Sequence, residues 1–164
     1  MARIGILGAG SWGTALAILL HDNGHDVTVW SIHEKEVEML NTTRRHESKL
    51  PGVEIPKGIL FTTDMEETMS DKDVCVLAVP SPFIRSTCQK MKAYVRAGQI
   101  IVNVAKGIEE STLYTLTDII EEEMPYADAC VLSGPSHAEE VSRRLPTTCV
   151  VSARTRKTAE YLQS

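Results

Sequence analysis

Gly8, Gly10 and Gly13 stand at the spacing G-x-G-x-x-G, directly after the apolar run Ile4 to Leu7 and at the head of a helical pattern that begins at Ser11. Such a turn suits an anion. Gly8 allows the tight bend, Gly10 lets the backbone approach a pyrophosphate, and Gly13 lets the helix pack closely on the strand. Free N–H groups at the helix start then face the negative charge, so the chemistry implied is dinucleotide binding. Trp12 lies inside this fingerprint and makes the string distinctive.

A dinucleotide fold places an acidic residue about 20 positions beyond the glycines, at the tip of the second strand, to bond the ribose hydroxyls. Here that tip reads Trp30-Ser31-Ile32-His33-Glu34, with no carboxylate at the expected place. His33 suits a 2′-phosphate and tilts the reading toward NADP; Glu34, one residue late, keeps NAD open. A solvated residue at a helix start is an equal reading of His33.

Lys106 follows the strand-like run Gln99 to Val104, at the carboxyl edge of a sheet, where ligands bind in open α/β folds. Next to Gly107 it can bring a point charge to a phosphate or hydroxyl, although spacing alone favours a solvated lysine. Leu132 to Val141 repeats the pattern of strand, small-residue turn and helix, with Pro135 suited to the first helical turn and Ser136 to its cap. His137 has no partner carboxylate or nucleophile identifiable in the sequence, and no catalytic residue is assigned. Val79-Pro80-Ser81-Pro82-Phe83 makes another irregular turn at the same edge, where Phe83 either flanks a ligand or joins the core.

The elements that must position these residues follow from the apolar pattern. Strand-like runs recur at Arg3 to Leu7, Asp26 to Trp30, Asp73 to Val79, Gln99 to Val104, Ala129 to Leu132 and Thr147 to Val151. Helical spacing is found in Ser11 to Asn23, closed by Gly24, in Glu34 to about Arg45, and in Ser111 to Glu123, where Leu113, Leu116, Ile119 and Ile120 share a face. Strands of Val, Ile and Leu with little polar alternation, separated by helices, predict an α/β fold with a doubly wound, mostly parallel sheet of the Rossmann type. Pro51 to Gly58 reads as a loop, and Thr155 to Ser164 as the start of a further helix.

At 164 residues the chain can bury one real core, and its formal charge of −5 argues against a nucleic-acid surface. Attraction for a phosphorylated ligand must therefore be local. No apolar run reaches membrane-spanning length and Met1-Ala2-Arg3 leads straight into a strand pattern, so a soluble, cytoplasmic protein without membrane contact is expected. Cys75, Cys88, Cys130 and Cys149 show no CxxC spacing; they read as buried free thiols, and no metal site is expected. Asn41-Thr42-Thr43 matches a glycosylation sequon by chance.

Five strings, in this order, resemble bacterial NAD(P)-dependent glycerol-3-phosphate dehydrogenase across its cofactor-binding half. They are Gly8 to Ala17 with Ser11 and Trp12, Asn41 and Arg44 with Leu50 to Gly52, Val79 to Ser81, Lys106 to Glu109, and Ser133 to Val141. The resemblance implies hydride transfer between a nicotinamide and C2 of dihydroxyacetone phosphate, giving sn-glycerol 3-phosphate for phospholipid synthesis. It implies that Ser11, Trp12, Phe83 and Ala138 contact NADP or NAD, and that Lys106 reaches both cofactor and substrate. Gly134 and Ser136 would help to hold the phosphorylated small-molecule substrate.

Two departures bear on function. Members that prefer NADP present arginine where this chain has Ile32 and His33. The family also places its catalytic lysine in a helical second domain, expected beyond Ser164, so residues 1–164 are expected to form one dinucleotide-binding domain that binds cofactor without turnover. A face left uncovered by that second domain would favour homodimers. The alternatives are a stand-alone dinucleotide-binding or redox-sensing module, and a related two-domain hydroxyacid dehydrogenase.

Overall fold

The computed structural model describes residues 1–164. Strand β1 (Arg3–Leu7) leads into helix α1 (Ser11–Asp22), followed by β2 (Asp26–Trp30) and α2 (Glu34–Thr43). A short hairpin of β3 (Arg45–His46) and β4 (Leu50–Glu54) precedes β5 (Leu60–Thr62) and α3 (Met65–Met69). Then come β6 (Val74–Leu77), a 3₁₀ turn at Ser81–Phe83, α4 (Ile84–Met91), β7 (Ile100–Asn103) and α5 (Leu116–Glu123). The chain closes with β8 (Asp128–Ser133), α6 (Ala138–Ser142), β9 (Val150–Ala153) and α7 (Arg156–Gln163).

Seven strands form one sheet in the order β5-β2-β1-β6-β7-β8-β9, and every pair is parallel except β8 with β9. The apolar strands need cover on both faces, and their pleat delivers it. Ile4, Ile6, Val27, Val29, Val74, Val76 and Val102 enter one core, shared with Leu16 of α1, Leu40 of α2 and Val141 of α6. Their neighbours Leu7, Trp30, Cys75, Leu77 and Ile101 enter the other, shared with Ile84 and Met91 of α4 and Ile119 of α5. Successive side chains point to opposite faces, so a run of Val, Ile and Leu without polar breaks can only be buried between two helical layers.

Two glycines set the join between β1 and α1. Gly8 adopts φ +121, and a Cβ there would lie 2.7 Å from the Ala78 carbonyl oxygen. A Cβ on Gly13 would lie 1.9 Å from the Gly8 carbonyl oxygen, so α1 rests on the turn itself. The strand order reverses direction between β1 and β6, which leaves a crevice at the carboxyl ends of these strands.

Several local expectations are corrected. Pro51 to Gly58 is not simply a loop, because β4 pairs with β3 in an antiparallel ribbon; Pro51 is tolerated there since β4 has no second neighbour. The helix expected from Ser111 starts only at Leu116. Thr115 and Asp118 make a reciprocal capping box, while Leu113 has φ +62 and is 72% exposed. The last strand begins at Val150 rather than Thr147, where antiparallel pairing to Ser133 starts. Cys75, Cys88 and Cys130 are buried as expected, but Cys149 is exposed. No helix is long and apolar enough to cross a membrane.

Burial pushes the thiols of Cys75, Cys88 and Cys130 up to about 12, which keeps them protonated and unreactive. A thiol reagent at pH 8 is therefore expected to modify only Cys149 in the native chain and all four cysteines after unfolding in guanidinium, as counted by mass spectrometry. Gly13→Ala forces a methyl into backbone and is expected to cost about 2–3 kcal/mol, lowering Tm by roughly 5–10 °C in a thermal melt.

Candidate functional site

A cleft of about 1010 Å³ opens at the carboxyl edge of the sheet, over the reversal between β1 and β6. Its floor is the turn from Gly8 to Trp12. The turn is fixed by Gly8 N–H donating to the Trp30 carbonyl at 2.9 Å, and by Thr14 N–H donating to the Gly10 carbonyl at 3.0 Å as α1 begins. The N–H groups of Ser11 and Trp12 have no acceptor within the protein, and the first turn of α1 holds no acidic residue. Unpaired donors at the positive end of a helix dipole make this floor anion-binding.

One end of the cleft is built at the tip of β2. His33 takes the N-cap position of α2 without making a side-chain cap, and it lines the cleft, whereas Glu34 does not. The carboxylate missing from the strand tip is supplied by Glu36, which α2 turns back into the cleft. Glu36 accepts from Ser31 Oγ at 2.5 Å and from Lys49 Nζ, and His46 Nε2 lies 3.3 Å from it. Burial works to raise the Glu36 carboxyl pKa, but the hydrogen bonds from Lys49 and Ser31 and the charges of Lys49 and His46 outweigh it and hold the group below the ordinary range.

His46 ties this end to the floor. It is buried at 1% exposure, and its Nε2 also lies 3.2 Å from the Ala9 carbonyl oxygen. Both neighbours of Nε2, the Glu36 carboxylate and the Ala9 carbonyl, are acceptors. Glu36, His46 and Lys49 were not legible as site residues: Glu36 reads as the charged face of a helix, and the other two lie on or beside a hairpin with no strong strand signal.

At the opposite end Lys106 is exposed and its Nζ donates to the Gly134 carbonyl at 3.1 Å. Ser136 does not cap α6. It is buried, and its hydroxyl donates to the same Gly134 carbonyl at 3.4 Å; His137 occupies the N-cap position without a side-chain bond. Pro135 accordingly lies before the helix, not in its first turn. His137 faces the cleft but has no carboxylate partner to orient it as a base. Phe83 is 58% exposed on the cleft wall, so it is not a core residue.

Of the residues singled out from sequence, Gly8, Gly10, Ser11, Trp12, His33, Phe83, Lys106, Ser136 and Ala138 line the cleft together. Gly13 packs beneath its floor, and Gly134 lies just outside, reached through its carbonyl.

Known proteins are similar to this chain in fold and sequence. The model for the family described as NAD-dependent glycerol-3-phosphate dehydrogenase N-terminus matches residues 3–159. A glycerol-3-phosphate dehydrogenase (NAD(P)+) of Agathobacter rectalis is 61% identical over 163 residues, covering 99% of this chain and 48% of the relative. One of Fusobacterium nucleatum is 52% identical over 166 residues, covering 100% of this chain and 50% of the relative. The crystal structure of a glycerol-3-phosphate dehydrogenase from Coxiella burnetii superposes with a TM-score of 0.92 at 28% identity, over 98% of this chain and 49% of that one. The chain spans about half the length of the curated relatives it matches. With a family match running from the first strand into the last helix, the chain belongs to the family of NAD-dependent glycerol-3-phosphate dehydrogenase N-terminal regions.

Proposed function

We propose that this chain is the dinucleotide-binding half of a glycerol-3-phosphate dehydrogenase, which reduces dihydroxyacetone phosphate to sn-glycerol 3-phosphate and runs in reverse. The observation that carries the proposal is the floor of the cleft, where unpaired N–H groups of Ser11 and Trp12 lie over a turn with no room for a side chain at Gly8 or Gly13. A pyrophosphate fits such a cradle. When bound, the nicotinamide supplies or accepts the hydride. The chain's own groups bind and orient: Trp12, Phe83 and Ala138 flank the dinucleotide, and Lys106 brings positive charge to cofactor and substrate. Gly134 and Ser136 help to hold the phosphorylated substrate.

The β2 tip favours NADP. Its one cleft-lining carboxylate, Glu36, is already engaged by Ser31, Lys49 and His46, while His33 and Lys49 place cationic or protonatable groups there for a 2′-phosphate. Reduction of a ketone also needs a proton donor. His137 lacks an orienting partner and Lys106 Nζ is bonded to the Gly134 carbonyl, so neither is assigned as the proton donor.

Calorimetric titration of the 164-residue chain with NADPH and NADH in parallel is expected to show both binding, NADPH about three- to tenfold tighter. Lys49→Ala is expected to narrow that gap. Absence of binding by either dinucleotide overturns the reading, and tighter binding of NADH overturns the cofactor preference. Mixed with NADPH and dihydroxyacetone phosphate, the chain is expected to give no sustained fall in absorbance at the dihydronicotinamide band; steady turnover would place the proton donor within it.

A further inference from the structure

Lys106 lies in the connection between β7 and α5, and a long side chain on a loop has no intrinsic reason to hold one place. Its neighbours supply one. Three residues on, the Glu109 carboxylate takes a fork from Arg85: Nε donates to Oε1 and Nη2 to Oε2, each at 2.7 Å. Thr112 Oγ1 donates to Oε2 at 2.5 Å. The backbone closes round the same residue, with Glu109 N–H donating to the Tyr114 carbonyl at 2.9 Å and Ile108 bridged to Thr115.

Arg85 stands in the first turn of α4, just beyond Phe83. Its Nη1 also donates to Glu122 Oε2 at 2.7 Å and to Glu123 Oε1 at 2.8 Å, both in the last turn of α5, and Lys92 neutralises Glu123 at 2.5 Å. One guanidinium therefore joins α4, the Lys106 loop and the end of α5. The Ser81 turn lies close beside this loop, since a Cβ on Gly107 would lie 3.1 Å from Ser81 Oγ.

We propose that Arg85 is a positioning residue for Lys106: its bidentate pair with Glu109 holds the Lys106–Gly107 segment against the Ser81 turn, so that the ammonium meets bound dinucleotide in one place. This rests on the role given to Lys106 above. The planar fork is the point, because two parallel N–H···O bonds fix orientation where a single charge fixes only proximity. The pair is partly exposed and contributes little to stability, so its consequence is geometric. The hydrogen bonds from Arg85 and Thr112 push the Glu109 carboxyl down to about 2, and the pair stays charged throughout the neutral range.

The test is a double-mutant cycle read by NADPH dissociation constants from calorimetry, with Tm as a folding control. Lys106→Ala is expected to weaken NADPH about tenfold, and Glu109→Gln about three- to fivefold. In the Lys106→Ala background Glu109→Gln should add nothing, because there is no longer an ammonium to place. A cost of the same size in both backgrounds marks a merely structural role and overturns the proposal. Arg85→Lys, which keeps charge and removes the fork, should reproduce the Glu109→Gln result, and it carries the cycle if Glu109→Gln melts early. Parental affinity in Arg85→Lys also overturns the proposal. Parental affinity in Lys106→Ala removes the role given to Lys106, and the proposal with it; a Lys106 effect combined with additive costs removes the positioning role alone.

Discussion

The site depends on a contact made of backbone alone. The carbonyl oxygen of Gly8 occupies the space that a side chain on Gly13 would need, at 1.9 Å from its Cβ position. Because α1 can come that close to β1, its first N–H groups lie over the carboxyl edge of the sheet. Any side chain at Gly13 would lift the helix and turn those donors away. Gly8 meets a second limit from the other side, where the Ala78 carbonyl lies 2.7 Å from its Cβ position, so the turn is confined between α1 and the end of β6. In a chain of net charge −5, attraction for an anion cannot come from the overall field; it comes from this helix end and from a few cations placed near it.

Those cations share a pattern of support. At the β2 tip Glu36 gathers Lys49, Ser31 and His46, and His46 passes the arrangement on to the floor through the Ala9 carbonyl. At the far end Glu109 is gripped by Arg85, and Lys106 rests on the Gly134 carbonyl. At the β2 tip a carboxylate thus restrains a flexible lysine, and at the far end a backbone carbonyl does so. Long lysine side chains lose considerable rotamer entropy when a ligand immobilises them, and a partner that restricts them beforehand reduces that loss. The β3–β4 hairpin has a functional consequence for the same reason, since it delivers His46 and Lys49 to a place that neither β2 nor α2 could reach.

The sequence made the sheet legible because a strand buried on both faces must be apolar at successive positions, as in Ile4 to Leu7 and Val74 to Leu77. It made the glycine turn legible because close backbone approach excludes every other residue type. The failures have equally local causes. Leu113 extends the apolar face of Leu116, Ile119 and Ile120 and so predicts a helix from Ser111, but the Thr115–Asp118 capping box and the bonds that close the loop round Glu109 start the helix later. Ser136 has the chemistry of a cap, yet its hydroxyl goes to the Gly134 carbonyl. Glu36 was invisible as a site residue because its position depends on the angle at which α2 leaves β2, a tertiary property. Lys106 reads as a solvated lysine by spacing and Ser136 as a helix cap; family resemblance singled them out as ligand-facing, and in the structure both donate to the Gly134 carbonyl.

Every residue lining the cleft lies between Gly8 and Glu139, so β9 and α7 complete the sheet and cover its end without adding a group to the site. The architecture separates two tasks of different tolerance. Cradling an extended anion needs many weak, preorganised contacts along a rigid sheet edge, and the cleft lies along such an edge. Moving a proton needs a group held by an orienting partner, and His137, at the N-cap of α6 without a side-chain bond, has none. A cleft whose anion-facing donors are fixed by backbone along the sheet edge is complete as a cradle without an acid of its own, because the two tasks draw on different groups.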